Sequence, residues 1–362
     1  MSSSTLTAAP PSASLTAGRL PKWAPWVILI GAFVVVAIIF GVLNLGQPLE
    51  NFNIAATVFL GALAYAAIIY VVSRIVEGPR KGTDRFVTAI VSAAFVLALL
   101  PLISLLWTVL VNGIARFDIE FFTYTMRNVV GEGGGAYHAI VGTLMITLAA
   151  TIISVPIGLM TSIYLVEYGA GKALARSITF FVDVMTGIPS IVAGLFAYAL
   201  FVVFFGPGIS MGIMGAVALS VLMIPVVVRS SEEMLRLVPN ELREASYALG
   251  VPKWLTIVKV VLPTAIAGIT TGVMLAVARV IGETAPLLLT AGFTASLNWN
   301  LFNGNMMTLP VFVYNQYASQ GTSPEESLAR AWAGALVLIL IVMVLNLGAR
   351  AVAKYFAPKT GR

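Results

Sequence analysis

The chain has no cysteine, a single histidine and few charges: of its 362 residues only 10% are Asp, Glu, Lys or Arg. Without cysteine there is no disulfide, no thiolate metal site and no cysteine nucleophile. The histidine, His138, has no second ligand cluster beside it, and its place at the outer edge of an apolar run reads as interfacial rather than metal-binding. Also missing is any extended soluble stretch able to fold around a nucleotide. The nearest string to a phosphate-cradling loop is Gly169-Ala170-Gly171-Lys172-Ala173. It has Val166 where the first glycine belongs and Ala173 where Ser or Thr would hold magnesium. What the chain does have is apolar surface. Apolar residues make up 59%, mean hydropathy is +0.98, and several runs exceed the ~18 residues that mark a membrane-spanning helix. Runs this long and continuous fit helices, not the alternating ~10-residue strands of a barrel. The expected fold class is an all-α polytopic membrane protein.

Eight spans are expected, near 24–44, 53–75, 86–113, 138–166, 178–206, 210–228, 264–290 and 331–351. Residues 1–22, rich in Ser, Thr, Ala and Pro, read as a disordered tail, and 353–362 as a second tail. The first apolar run comes after Arg19 and Lys22, yet it is as long as a bilayer is thick and lacks a small-residue cleavage site, so it reads as a span and not a signal peptide. Basic residues are retained on the cytoplasmic side of a membrane. With the amino terminus inside, seventeen of the 21 Lys and Arg fall there, Arg116, Arg127 and Arg330 fall outside, and Arg279 lies within a span. That bias supports both the number of spans and their direction, with both termini cytoplasmic. It also accounts for the net charge of +6 without a nucleic-acid partner.

Between the sixth and seventh spans lies a polar insertion, 230–263. Ser230, Ser231, Glu232 and Glu233 read as the start of a short helix, which Pro239 interrupts. Asn240 then caps a second helix over 241–249, with Gly250 at its carboxyl end and Pro252 just beyond. Leu242, Ala245, Tyr247, Ala248 and Leu249 offer an apolar knob edged by Glu241, Arg243 and Glu244, suited to a partner's groove. An interfacial helix on lipid, or an ordinary connecting loop, is the alternative.

Three charged residues fall well inside the spans, away from their ends: Asp183, Arg279 and Glu283. At such depth each costs at least ~2.5 kcal/mol unless paired or facing water. Arg279 and Glu283, four apart on one expected helix, either pair with each other as glue or mark a pathway. In the second case the guanidinium fork attracts an oxyanion and the carboxylate keeps the site weak enough for release. Gly282 and Pro286 bracket this pair and Thr284 adds a hydroxyl; Thr186, Gly187, Pro189 and Ser190 form a similar interruption in the fifth span. Polar groups from two broken helices could line one passage.

Glu244-Ala245-Ser246, Gly250 and Val260-Val261-Leu262-Pro263 together resemble the cytoplasmic coupling loop of importer-type ABC permeases, with Ser at the third position and Val in place of Ile. The run from Arg279 to Leu288 is similar to the PstA family of phosphate permeases. So are Ala139-Ile140-Val141-Gly142-Thr143-Leu144, Tyr164-Leu165-Val166-Glu167-Tyr168 and Gly187-Ile188-Pro189-Ser190-Ile191-Val192. The resemblance covers about 85–352 and implies a MetI-like permease core of six transmembrane helices, with two extra amino-terminal helices in 23–84. It further implies a PstC-type second permease, a PstB-type ATPase dimer that binds ATP and magnesium, a PstS-type binding protein outside, and inorganic phosphate as substrate. The chain itself would be no enzyme and hold no cofactor. In that frame Arg279, Glu283, Thr284, Thr186 and Ser190 lie along the substrate route, and Glu241, Glu244, Ala245, Gly250 and Pro252 at the ATPase contact. The helix over 241–249 then acts as a lever that switches access to the pore. Two other readings stand beside it: an ion-coupled secondary carrier, or a permease for another oxyanion such as sulfate or molybdate. A scaffold or sensor is favoured only if the first two spans are the functional part.

Overall fold

A computed structural model describes residues 18–43 and 54–356, with backbone alone for 54, 55 and 352–356. The expected tails at 1–22 and 353–362 lie largely outside the described residues. Two compact units are present, 1–106 and 107–362. Among the described residues seven helices are long and apolar enough to cross a bilayer, and one bent pair makes an eighth crossing if it counts as one span.

The first unit contains α1 (Ala24–Leu43), α2 (Ile54–Val76) and most of α3 (Pro79–Gly113). Helix α1 is apolar on every side and buries only Ala24, Ala32 and Val36, as expected of a helix whose solvent is lipid. A small cluster of Ala66, Ile69 and Ala89, joined by Ile28, Tyr65 and Phe86, holds the three helices together. At their polar end Glu77 is the joint. Its carboxylate accepts from Leu20 N–H (2.9 Å), Ser73 Oγ (2.8 Å) and Arg85 Nε (2.6 Å), and is 2% exposed. The Arg85 hydrogen bond, helped by those of Leu20 and Ser73, holds the Glu77 carboxyl at about 2. A depressed carboxyl stabilises the fold above its ordinary range, and that contribution is lost only as pH falls towards about 2.

The second unit carries the rest. A 3-10 turn (Ile114–Arg116) and α4 (Ile119–Thr123) precede α5 (Tyr137–Ile163), which runs into a π-helical turn, Tyr164–Tyr168. Helices α6 (Ala173–Thr186) and α7 (Ser190–Phe205) come next, bent by 111° at their junction. The interruption expected within the fifth span, 178–206, is found at 187–189. Pro189 lacks the N–H a continuing helix needs and takes φ −59°, ψ 139° before α7 restarts.

Helix α8 (Gly212–Arg236) is the mast of this unit. Gly215 and Ser220 meet Ile146 and Ala150 of α5, while Gly158 of α5 and Gly272 of α11 receive Val227 and Ser230 of α8, so small residues on all three helices let them pack closely, the usual means of helix association in lipid. Helix α8 runs unbroken through Ser230 to Glu233, so no helix starts there. Ser231 and Glu232 are buried against neighbours, and the expected boundary is overridden by packing. After α9 (Asn240–Ala248) come α10 (Lys253–Thr256), a second π turn (Ile257–Val261) and α11 (Leu262–Val280). Helix α11 stops ten residues short of the span expected over 264–290. Residues 281–284 form a break before α12 (Ala285–Thr290); α13 (Leu309–Ala318) and α14 (Pro324–Phe356) complete the chain.

His138 is buried, not interfacial: it is 2% exposed and edge-on to Phe312, 5.8 Å between rings. Residues 131–136 fold over this end of the unit, and Arg330 ties them down by donating to Gly131 O (2.8 Å) and Gly133 O (3.0 Å).

A side chain on Gly142 of α5 would collide with the carbonyl oxygen of Met307, a backbone atom that cannot step aside, whereas Gly348 of α14 has open space around its Cβ position. Gly142→Ala is expected to destabilise the unit by about 1–3 kcal/mol through overpacking. Gly348→Ala is expected to be neutral or stabilising. Thermal unfolding of the detergent-solubilised protein distinguishes the two.

Candidate functional site

The polar insertion is held rigidly. Leu249, Gly250 and Val251 end α9 in a Schellman turn: Gly250 N–H donates to Tyr247 O (2.9 Å), Val251 N–H to Ser246 O (3.2 Å), and Gly250 sits at φ +77°, where glycine alone is unstrained. Pro252 (φ −68°, ψ 151°) then starts α10. Inside the turn, the Ser246 and Thr256 hydroxyls share a buried 2.8 Å hydrogen bond. The helix begins at Asn240, one residue before the expected start, with Pro239 and not Asn240 at its cap.

Arg243 is the bolt. Its Nε and Nη2 donate to Glu167 Oε1 at 3.0 and 2.9 Å, Nη1 to Val238 O at 2.6 Å, and Nη2 to Leu235 O at 3.0 Å. One guanidinium thus joins the π turn that ends α5, the end of α8 and α9 itself. Glu167 is 5% exposed at its side chain and Arg243 12%. Lys253 completes the joint by donating to Glu167 O while its ammonium stands over the Tyr168 ring at 4.8 Å. Neither Glu167 nor Lys253 was singled out from sequence. The signal available was one acid at the inner end of a long apolar run, four residues into a segment that then adopts a π turn, a geometry common at functional positions.

With its underside bolted down, the insertion presents an apolar upper face. Leu237 is 73% exposed, Leu249 83%, and Leu242, Tyr247 and Trp254 are also exposed, with Glu241, Glu244 and Ala245 exposed among them. Such a rimmed patch on a polar segment is the form of a docking surface.

The membrane-embedded residues lie at two breaks. Gly268 packs on Met234, Gly272 on Ser230 and, beyond the break, Leu287 on Gly215, a single antiparallel register that puts Arg279 level with Met223 near the middle of α8. Arg279 is exposed on the last turn of α11, and Glu283 is half-buried in the break, its N–H donating to Val280 O (3.1 Å). The break removes the shared helical face, and among the described residues neither side chain has a hydrogen bond or ion pair. Of the two readings of Arg279 and Glu283, the mutual pairing is therefore absent among the described residues. Pro286 does not interrupt a helix either; it stands in the first turn of α12, where its missing N–H costs nothing.

The two interruptions adjoin. A Cβ on Gly194 of α7 would stand 2.6 Å from Pro286 Cα, so Ser190, one turn earlier on α7, and Thr284, two residues before Pro286, belong to neighbouring breaks. Thr186, exposed at the end of α6, donates to its own helix at Val182 O (2.9 Å). Asp183 is no free acid in the membrane: it pairs with Arg229, which also holds Glu232 at 2.9 Å, and Glu232 in turn accepts from Arg236 at 2.6 Å. Residues 169–172 form a tight turn into α6, with Gly171 at φ +76°.

The profile of the family described as binding-protein-dependent transport system inner membrane component matches residues 154–362. The phosphate transport system permease protein PstA 1 of Mycobacterium tuberculosis (strain CDC 1551 / Oshkosh) is 48% identical over 274 residues, 75% of this chain and 88% of that one. PstA of Mycobacterium leprae is 46% identical over 283 residues, covering 76% and 90%. PstA of Haemophilus influenzae is 40% identical over 271 residues, covering 75% and 94%. The chain belongs to the PstA permease family. A multi-pass membrane permease subunit is the class of protein it is.

Arg243→Ala would leave the Glu167 carboxylate buried and unpaired, a loss of about 3–5 kcal/mol for such pairs. The expected outcome is a lower unfolding temperature and faster proteolysis within 237–252. Combining it with Glu167→Leu, which removes the stranded charge, is expected to recover most of the stability, as a double-mutant cycle by thermal unfolding would record.

Proposed function

We propose that this PstA-family chain is one of two permease subunits of an ATP-driven phosphate importer and that α9 is the surface on which a separate ATPase subunit docks. The observation that carries the reading is the exposed apolar face of α9, bolted through Arg243 to the inner ends of α5 and α8 in a chain that aligns with nearly the whole length of PstA permeases. ATP and magnesium belong to the ATPase, a PstB-type dimer. A PstC-type permease supplies the other half of the pathway, and a PstS-type protein delivers phosphate from outside. Counting the bent α6–α7 pair as one crossing gives eight spans and leaves both termini in the cytoplasm, the arrangement that gathers seventeen basic residues on that side.

In this reading force enters at α9 and leaves at the break. Helices α8 and α11 flank the insertion at one end and reach the level of Arg279 at the other, packed against each other through Gly268 and Gly272. A push on α9 is transmitted along them to residues 281–284, the segment with no helical hydrogen-bond ladder to resist movement. There Arg279, unpaired among the described residues, offers its planar donor fork to a phosphate oxyanion. Glu283, a turn away, limits the attraction so that the anion leaves. Thr284 and Ser190, at the adjoining breaks, and Thr186 supply hydroxyls along the same route. A binding-protein-fed pathway suits an oxyanion with a fixed cation of this kind better than an ion-coupled carrier does, since the coupling surface on α9 has no use without a motor.

Phosphate uptake by the assembled transporter tests the route: Arg279→Ala is expected to lower it at least tenfold with ATPase docking intact, and Glu283→Ala to slow release. Normal uptake in both would remove them from the pathway. Gly250→Val tests the lever. A β-branched residue at φ +77° is strained, by about 1–2 kcal/mol, and opens the Schellman turn. ATP hydrolysis is expected to continue while uptake falls; a variant that imports normally would show that the turn carries no force.

A further inference from the structure

The three helices of the first unit enclose a cleft that the permease reading does not use. Its apolar half, 510 Å³, is lined by residues such as Leu29, Phe33, Val58 and Leu97. Its charged half, 550 Å³, is lined by Arg19, Lys81, Arg85, Asp84 and Glu77. Both halves share Pro25, Tyr65, Ala89 and Ser92, so they form one cleft that is apolar at one end and ionic at the other. Each half lies within the ~300–1,000 Å³ of clefts that bind small ligands.

We propose that this cleft is a binding site for an anionic phospholipid, acyl chains in the apolar half and headgroup phosphate in the charged half. Charge decides the occupant. Glu77 is satisfied from within by Leu20, Ser73 and Arg85, which also occupies Arg85. That leaves Arg19 and Lys81 without partners among the described residues, opposed by Asp84 alone. The ionic end is thus short of one negative charge. Thr88 and Ser92, each about one turn further along α3, offer hydroxyls to phosphate oxygens on the way to the apolar half. Depth agrees: Trp23 and Trp26, 64% and 67% exposed, come just after Arg19 and Lys22 and mark the headgroup level at which aromatic belts sit. Trp26 lines the apolar half just below. Free phosphate would leave the apolar half unfilled, and an apolar partner helix would leave Arg19 and Lys81 unmatched.

Native mass spectrometry on the full chain, delipidated in mild detergent and titrated with phosphatidylglycerol or phosphatidylcholine, tests the site. Phosphatidylglycerol is expected to be retained in preference. Arg19→Ala and Lys81→Ala are each expected to weaken it about fivefold, the contribution of one basic residue facing anionic lipid. Arg80→Ala, outside the cleft lining, is expected to change nothing, and Ala93→Trp, which fills the apolar half, to abolish retention. The proposal is overturned by equal retention of the two lipids, by equal weakening in Arg80→Ala, by displacement of phosphatidylglycerol by inorganic phosphate, or by a dimer forming in place of the lipid complex.

Discussion

The contact between Arg243 and Glu167 is what turns a short helix into a machine part. A nine-residue helix between Pro239 and Pro252 has too few hydrogen bonds to be stable by itself. It persists because one guanidinium spans a buried carboxylate and two carbonyls on different helices, with Lys253 and the Ser246–Thr256 hydroxyl pair closing the far side. All the polar contacts lie underneath. The upper face is therefore free to be apolar, and Leu237, Leu242, Tyr247, Leu249 and Trp254 are exposed because the fold has no further use for them.

The same division between stiff and soft recurs in the membrane. Gly158 of α5, Gly268 and Gly272 of α11 and Gly215 of α8 let these helices approach closely, and α11 keeps one register along α8. Against this block stand two places where the backbone leaves the helix, 187–189 and 281–284, meeting where Gly194 abuts Pro286. Beside the second break, Arg279 and Glu283 have no side-chain partner among the described residues, whereas Asp183, Arg229, Glu232 and Arg236 neutralise one another. Stiff helices joined to a soft, charged break are what transmission of a push into a change of access requires.

Much of this was legible from sequence, and the boundary is physical. Apolar runs long enough for a bilayer can hardly be anything but spans, and Gly250 with Pro252 two residues on punctuates a helix end through backbone geometry that no neighbour can alter. Contacts distant in sequence were not legible. Glu167 and Arg243 are 76 residues apart. The helix start expected at Ser230 was overridden because α8 buries Ser231 and Glu232 against other helices. His138 reads as interfacial from its position in the chain, and only packing against distant residues such as Phe312 makes it buried. The span expected over 264–290 failed at 281, where Gly282, Thr284 and Pro286 together outweigh the apolar residues around them. The four-residue spacing there left an ion pair and a pathway role both open, and the break removes the helical face that the pair would have shared.

The absence of native cysteine makes the central claim directly measurable. With Leu249→Cys on α9 and a cysteine in the groove of the ATPase subunit, the assembled transporter should form an intersubunit disulfide under mild oxidation, its yield changing with ATP as the lever moves. Should Leu249→Cys stay uncrosslinked in an active complex and react instead with a lipid-soluble thiol reagent, α9 lies on the bilayer surface and the account of force transfer through Arg243 is wrong.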